Sequence, residues 1–270
     1  MSQRGARVWS NPTLDAPCAR LACPGGQRTI KRRDNFSIGA LMFKTLKRGF
    51  KRFERGEVGQ FGNDVSTPRT RRLAMWHFHL FDHAFLRGIW TNLYEIAPGV
   101  WRSNQPSPAR IKRYAQMGIK TILSLRGDKD LSFMLLEKQA CAEHGITLIS
   151  TDKAAARGAL SGKDYVALID LLASIPKPFL IHCKSGADRA GLASALYLLH
   201  CEGASIGEAK KMLSFRFMHL KSTKTGILDH ILDLYEADLK AHGPIPIRDW
   251  FETRYDIEKA RMFKTMRSFP

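Results

Sequence analysis

The sequence predicts an α/β fold: a parallel-stranded central sheet flanked by helices, with a basic, partly helical N-terminal extension. Short apolar runs alternate with helix-length segments through residues 108–200, which is the pattern of parallel strands joined by helical crossovers. The chain has 270 residues and 44% hydrophobic content, enough to bury the core of such a domain. Residues 1–75 hold 16 basic and 5 acidic side chains, so +11 of the net charge of +18 lies near the N-terminus.

The N-terminal extension divides into two predicted parts. Residues 1–36 are rich in Pro, Gly and Arg and poor in large apolar groups, so we expect them to be disordered. Apolar residues recur at helical spacing among Lys and Arg over 41–55, which predicts a basic amphipathic helix. This helix either docks on anionic lipid or nucleic acid or packs its aromatic face on the folded domain. After a loop at 56–68, the aromatic segment 71–90 predicts a second helix packed on the core.

The elements of the folded domain follow from periodicity and from breakers. We predict, in order, helix 108–117, strand 121–125, helix 131–144, strand 146–150, helix 162–175, strand 179–182 and a helix over 192–199. Gly145 ends the helix before strand 146–150, and Pro176 and Pro178 bound strand 179–182. The helical run 227–241 and the tail 250–255 are expected to pack as a closing layer.

Cysteine and histidine usage argues against disulfides and metals. Five cysteines are odd in number and lack the spacing of a disulfide framework. His77 and His79 would point to different faces of a helix, and Cys18 and Cys23 lack a second pair, so we expect no metal site and no cofactor. We also expect a soluble, cytoplasmic protein, because no window offers the roughly 18 apolar residues of a membrane span.

The stretch 182–191, HCKSGADRAG, lies between an apolar strand and a helix. A short loop entering a helix turns backbone N–H groups inward, and the helix dipole adds positive charge there. Lys184, Ser185, Gly186, Ala187 and Asp188 would form this phosphate-binding loop together with Arg189, whose planar fork can hold two phosphate oxygens. Cys183 would lie at the bottom of the loop, where these groups favour the nucleophilic thiolate.

Two simpler interpretations of this stretch were weighed. Cys183 could be a small buried core residue, but a core cysteine requires neither Gly186 nor Arg189 at these offsets. His182 either hydrogen-bonds the loop backbone or is an ordinary core histidine. We do not assign it as a base.

The motif His-Cys-x-x-Gly-x-x-Arg resembles the signature loop of the cysteine-dependent protein tyrosine and dual-specificity phosphatases. Residues 99–106 and 120–127 also resemble the bacterial dual-specificity-like branch, and the resemblance covers about residues 96–236. It implies a phosphatase domain over 96–242, between a helical extension at 37–95 and a C-terminal packing tail at 243–270. It further implies nucleophilic attack by Cys183 on phosphorus, a cysteinyl-phosphate intermediate and clamping of the phosphate by Arg189.

The resemblance leaves the general acid open between two aspartates. Asp152 follows the predicted strand 146–150, where the acid loop of many relatives falls, and Asp188 resembles the loop aspartate of myotubularin-type lipid phosphatases. Either could instead cap a helix or pair with a neighbour. Ala190 departs from relatives that place a hydroxyl after the arginine, so slow turnover is expected.

The substrate and partners also remain open. A phosphorylated protein, in particular at tyrosine, is the first candidate, and an inositol phosphate or phosphoinositide is the second, because Lys184 and Asp188 make the loop unusually charged. Arg126 could line the pocket, since ligands bind at the carboxyl ends of parallel strands. A phosphate-binding module with little turnover is a third interpretation. Peripheral contact with an anionic surface through the N-terminal extension is possible, whereas a nucleic-acid partner is not expected.

Overall fold

The computed structural model describes residues 63–82 and 84–266. The predicted disorder of residues 1–36, the predicted basic helix at 41–55, Cys18, Cys23 and His83 lie outside the described residues. Among the residues that are described, no helix combines the length and apolarity required to cross a membrane.

The described chain alternates helices with short strands. The helices are α1 (Pro68–Leu80), α2 (Ala84–Ile89), α3 (Pro108–Gln116), α4 (Ser132–Glu143), α5 (Gly162–Ser174), α6 (Asp188–Cys201), α7 (Ile206–Lys210), α8 (Ile227–His242), α9 (Ile247–Thr253) and α10 (Ile257–Met266). The strands are β1 (Tyr94–Ala97), β2 (Val100–Asn104), β3 (Thr121–Ser124), β4 (Thr147–Ser150) and β5 (Phe179–Cys183). Two 3-10 turns lie at Phe215–Phe217 and Lys224–Gly226.

The five strands form one sheet in the order β1-β2-β5-β3-β4. The pairs β2–β5, β5–β3 and β3–β4 are parallel, and only the edge strand β1 is antiparallel to its neighbour. The predicted parallel-stranded α/β fold is therefore confirmed, with one antiparallel edge added. This arrangement brings the carboxyl ends of β2, β3, β4 and β5 to the same side of the sheet.

Alternate residues of the central strands pack on opposite faces. Phe179 and Ile181 of β5 join a core formed with α5, α6 and the C-terminal helices. Leu180 and Ile122 belong to a second core, with α3 and α4 on the other face. α1 packs outside α4, where Phe78 meets Phe133. Since both faces are covered, the inner strands are buried throughout and read as continuous apolar runs.

Helix caps explain several boundaries. Ser107 accepts a hydrogen bond from the Arg110 N–H at the start of α3, and Pro108 occupies the first turn, where its missing N–H costs nothing. The single helix predicted over 71–90 is wrong, because the structure has α1 and α2 instead. The capping box between Thr67 and Thr70 starts α1 earlier than predicted.

Candidate active site

The loop between β5 and α6 is as short as its motif predicts. Cys183 ends β5 and is 2% exposed, and α6 begins at Asp188. Gly186 has a φ of +72°, and a Cβ there would lie 2.7 Å from both the Asn104 nitrogen and the Ser103 oxygen. A side chain at this position would collide with backbone that cannot yield, so the loop requires glycine.

Every carbonyl of the loop from Lys184 to Ala187 is bound from outside the loop. The contacts are Gln105 N to Lys184 O at 3.2 Å, Asn92 Nδ2 to Ser185 O at 3.1 Å, Arg102 Nη2 to Gly186 O at 2.5 Å and Arg102 Nη2 to Ala187 O at 3.3 Å. In a trans peptide the C=O and the following N–H point in opposite directions. The N–H groups of residues 185–188 therefore point away from these donors, and that of Ala187 donates to Ser185 Oγ at 3.3 Å within the loop. Successive backbone N–H groups in such a turn can form an anion-binding concavity.

Arg102, the central residue of β2, is the main support of the loop. Its side chain is fully buried, stacks 3.8 Å from the centre of the Phe217 ring and also donates to the Met212 carbonyl at 2.8 Å. Burial lowers the pKa of Arg102 to about 10, which leaves the guanidinium charged at neutral pH. A fixed positive charge thus lies directly behind the loop.

Arg189 lies on the first turn of α6 and points toward β3. Its Nη1 donates to the Leu125 carbonyl at 2.6 Å. Arg189 also lines a cavity of about 290 Å³ at the carboxyl end of β3, shared with Arg126, Lys129, Lys184 and Asp82. The structure therefore brings the predicted residues Lys184, Arg189 and Arg126 together.

A buried polar chain connects His182, the residue before Cys183, to this cavity. His182 Nε2 lies 2.7 Å from Glu137 Oε1, and both side chains are fully buried. Gln105 Nε2 donates to Glu137 Oε2 at 2.8 Å, and Arg126 Nη1 donates to Gln105 Oε1 at 3.1 Å. His182 Nδ1 also lies 3.4 Å from the Cys183 carbonyl oxygen. The contact of His182 with Glu137 is at ion-pair distance without hydrogen-bond geometry, and it places the end of β5 against α4.

Asp188, the loop aspartate, is bound by a histidine. His219 Nδ1 lies 2.8 Å from Asp188 Oδ1, and His219 Nε2 lies 2.7 Å from Asp229 Oδ2. Burial lowers the pKa of His219, but the hydrogen bonds to the two carboxylates outweigh it and raise the pKa to about 9. At neutral pH His219 is therefore an imidazolium that donates to both aspartates. Asp188 also borders a second cavity of about 480 Å³, with Arg157, Met218, Leu220 and residues 222–225.

Asp152 lies apart from these contacts. It is exposed in the segment after β4, at the same side of the sheet as Cys183. A Cβ added to Gly127, which follows β3, would lie 3.5 Å from the Asp152 Cβ. The two candidate acids thus occupy different environments: Asp188 in a hydrogen-bonded pair and Asp152 in an exposed loop.

The histidines of α1 are placed differently from one another. His77 is buried with Nδ1 2.8 Å from Ser132 Oγ, whereas His79 is half-buried. The described part of the chain contains no cluster of three His, Cys, Asp or Glu side chains suited to a metal ion.

Sequence reasoning missed several residues that build the site. Arg102 and Gln105 lie in the stretch that carries the family resemblance, but no role was predicted for them. Glu137 carried one usable signal, because it is a charged residue within the buried face of α4. Asp82 and Asn92 gave no signal, since their partners lie far away in the sequence.

Comparisons with known proteins agree with this geometry. The family model PTP-SAK (Swiss Army Knife), a DSP-PTPase phosphatase domain, matches residues 96–222. The dual specificity protein phosphatase TpbA of Pseudomonas aeruginosa is 25% identical over 114 residues, which make up 42% of this chain and 48% of TpbA. The chain therefore spans about half the length of the curated relatives it matches.

Two solved structures are also similar. The crystal structure of P. aeruginosa TpbA has 22% identity and a TM-score of 0.41, and the match covers 54% of this chain and 91% of that one. The core catalytic domain of the PP-IP phosphatase SIW14 from S. cerevisiae has 16% identity and a TM-score of 0.42, covering 65% of this chain and 91% of that one.

The residues of the phosphate loop fall inside the matched region. Cys183, Gly186 and Arg189 stand at the positions of the motif, and Gly186 has the positive φ that the short loop requires. Residues 96–222 of this chain match the model of a DSP-PTPase phosphatase domain, and the chain is similar in sequence to the dual specificity phosphatase TpbA.

Proposed function

We propose that this protein hydrolyses phosphomonoesters through a cysteinyl-phosphate intermediate, with Cys183 as the nucleophile and Arg189 as the phosphate clamp. The observation that supports it is the set of four loop carbonyls bound from outside by Gln105, Asn92 and Arg102. They direct the opposite N–H groups toward a site beside Cys183. Donors fixed before the substrate arrives stabilise the charge that develops on phosphoryl oxygens.

The reaction has two steps. In the first, the Cys183 sulfur attacks phosphorus, the bond from phosphorus to the leaving oxygen breaks, and that oxygen takes a proton from a general acid. In the second, water attacks phosphorus and the sulfur–phosphorus bond breaks. The water proton passes to the conjugate base of the general acid, the Cys183 thiolate is regenerated, and inorganic phosphate is released. The loop N–H groups and Arg189 bind the non-bridging oxygens in both steps.

We assign Asp152 as the general acid. Asp188 Oδ1 is 2.8 Å from His219 Nδ1, so this carboxyl group is already held by a protein donor rather than free to face a leaving oxygen. Asp152 is exposed at the carboxyl end of the sheet, on a segment that can approach a bound substrate. In this proposal Asp188 positions the first turn of α6, through His219 and Asp229.

The second step lacks the side-chain hydroxyl that many relatives place after the arginine. Ala190 is fully buried and carries no hydroxyl where many relatives place one. Ser194 Oγ, one turn later, donates to the Ala190 carbonyl at 2.6 Å. Slow hydrolysis of the cysteinyl-phosphate, relative to its formation, is part of the proposal.

The substrate class that we propose first is phosphotyrosine-containing protein. A solved TpbA variant is described in complex with pTyr, and TpbA is described as a dual specificity protein phosphatase. The second candidate is an inositol phosphate or phosphoinositide, because Arg126, Lys129 and Lys184 line one cavity with Arg189. These cations would suit a second phosphate, but Arg126 and Lys184 are already paired with Asp82, so this candidate stands second.

The proposed mechanism indicates a compartment, and the charge of the N-terminal extension indicates a surface that it would contact. A working Cys183 must be reduced, so we propose a reducing compartment such as the cytoplasm. The +11 charge of residues 1–75 supports contact with an anionic surface.

The test is hydrolysis of p-nitrophenyl phosphate, a phosphotyrosine peptide and an inositol polyphosphate by the full chain. Cys183→Ser should abolish phosphate release from each substrate. Cys201→Ser, which alters an exposed free thiol of the same chain, is the matched control and should keep the wild-type rate. The larger kcat/KM of the peptide or of the inositol phosphate decides between the two classes. Phosphate binding without any turnover would contradict the enzyme and leave a phosphate-binding module.

A further inference from the structure

Asp82 is a buried carboxylate surrounded by cations next to the phosphate loop. It lies between α1 and α2, before the region matched by the phosphatase family, and its side chain is 7% exposed. The Arg126 guanidinium binds both carboxylate oxygens of Asp82: Nη2 donates to Oδ1 at 2.9 Å and Nη1 donates to Oδ2 at 3.0 Å. Lys184 Nζ, from the phosphate loop itself, lies 3.1 Å from Oδ1.

A third cation anchors this carboxylate from the side of α2. Arg87 Nη2 lies 2.6 Å from Asp82 Oδ2, and Arg87 Nη1 also binds the Asp82 carbonyl. Burial favours the neutral acid, but Arg126, then Arg87 and Lys184, lower the pKa of Asp82 far below its ordinary range. Asp82 is thus a negative charge held by Arg87 of α2 and shared with two cations of the proposed phosphate site.

The geometry of the Arg126 contact is that of an arginine with an oxyanion. A guanidinium fork binds two oxygens of a carboxylate or of a phosphate in the same bidentate way. Arg126 and Lys184 line the same cavity of about 290 Å³ as Arg189. A second phosphate group on a substrate bound at Arg189 would meet these two cations, and Asp82 already occupies them.

We propose that Asp82 is a specificity-determining residue that occupies a second phosphate subsite, formed by Arg126 and Lys184, and thereby disfavours ligands that carry a second phosphate. The inference rests on the proposed phosphate site at Cys183 and Arg189. A monophosphate needs only the loop and Arg189 and is little affected by Asp82. A ligand with two linked phosphates must displace this carboxylate from Arg126 and Lys184, because the carboxylate repels its second phosphate.

The experiment compares inorganic pyrophosphate with orthophosphate in calorimetric titrations of the full chain. Asp82→Asn keeps the size of the side chain and removes its charge. The matched control is Asp170→Asn, because Asp170 also pairs with both arms of an arginine, Arg248, at 2.7 and 3.0 Å on the surface. Asp82→Glu keeps the charge and should keep the wild-type preference.

In Asp82→Asn we expect pyrophosphate to bind about tenfold more tightly, the size of one freed charge-assisted contact, while orthophosphate changes less than about twofold. Asp170→Asn and Asp82→Glu should keep the wild-type ratio of the two affinities. An unchanged or lower ratio in Asp82→Asn, in a protein that melts cooperatively, overturns the proposal.

A second measurement needs no variant and covers the case in which Asp82→Asn does not fold. Saturating pyrophosphate should accelerate amide hydrogen exchange in residues 82–89 of the wild-type chain, because Asp82 must leave its cations, and orthophosphate should not. Protection by pyrophosphate, or no difference between the two anions, contradicts the displacement. Both measurements report binding, so loss of catalysis alone does not affect them. If the enzyme is active and Asp82→Asn leaves the ratio of pyrophosphate to orthophosphate affinity unchanged, the role of Asp82 is refuted and the proposed catalytic function is not.

Discussion

The carboxylate of Asp188 accepts a hydrogen bond of 2.8 Å from Nδ1 of His219, whose other nitrogen lies 2.7 Å from Asp229. Through His219, these contacts join the first turn of α6 to the first turn of α8. The rest of α6 and all of α7 lie between them in the sequence. The aspartate at which the loop ends and α6 begins is therefore tied to α8 through a buried histidine.

The first prediction concerns stability against pH. The pKa of His219 is raised to about 9 from an ordinary 6.5, so its stabilising contribution is complete below pH 6.5 and is lost as the pH rises through 9. The free energy of unfolding should fall by roughly 2–3 kcal/mol over this window. Urea denaturation between pH 6 and 10 measures it.

The control for this window is a histidine on the surface of α8. His219→Asn should remove the slope, whereas His242→Asn, whose side chain is 61% exposed, should leave it in place. A wild-type protein whose stability is flat between pH 6.5 and 9 would disprove the charged state of His219.

The second prediction separates the two candidate acids. Asp152→Asn should lower kcat by about 10²–10⁴ with aryl phosphates that have poor leaving groups, and much less with activated ones, because only the former need protonation. The fall of activity at high pH, which reports loss of the acid's proton, should disappear in this variant. Steady-state rates across pH with phenyl phosphate and p-nitrophenyl phosphate measure both effects.

Asp188→Asn is the paired variant for that experiment. It keeps a hydrogen-bond acceptor for His219 but removes the charge. We therefore expect a lower free energy of unfolding, while the fall of activity at high pH (the high-pH limb) is retained. If the limb vanishes in Asp188→Asn and persists in Asp152→Asn, the roles of the two residues are reversed.

The third prediction concerns the close approach at Gly186. A Cβ there would lie 2.7 Å from backbone atoms of Ser103 and Asn104, so Gly186→Ala should displace the loop and weaken orthovanadate binding by about tenfold or more. Competitive inhibition of hydrolysis, or calorimetry with the same anion, gives the number.

Gly203 provides the matched control. It also has a positive φ, +62°, but nothing lies within 4 Å of its added Cβ. Gly203→Ala should cost about 1 kcal/mol of stability and leave anion binding intact. Equal vanadate affinity in the two alanine variants would mean that the contact with β2 does not shape the loop.

Local signals made much of the fold predictable. α3, α5 and β5 lie within one or two residues of their predicted bounds, since Pro108, Ser161 and the prolines before Phe179 act on adjacent backbone. β1 and β2 escaped prediction: β2 carries the buried polar residues Arg102, Ser103 and Asn104, of which Arg102 binds the loop carbonyls. A strand built for a site lacks the apolar pattern that marks a strand.

The site was predictable only where its chemistry is local. Cys183, Gly186 and Arg189 lie within seven positions of one another and formed a motif. Glu137 pairs with His182 across 45 positions, and Asp82 meets Lys184 across 102. Such pairings depend on how the helices pack around the sheet, and a single sequence does not carry that information.

The outward anchoring of the loop carbonyls has a thermodynamic consequence for ligands. Arg102, Asn92 and Gln105 fix the backbone of residues 184–187 while the chain folds, so the loop loses its conformational entropy before any anion arrives. An incoming phosphate finds its donors already oriented and has little disorder to remove. Its affinity is then reduced mainly by desolvation and by its own loss of translational freedom.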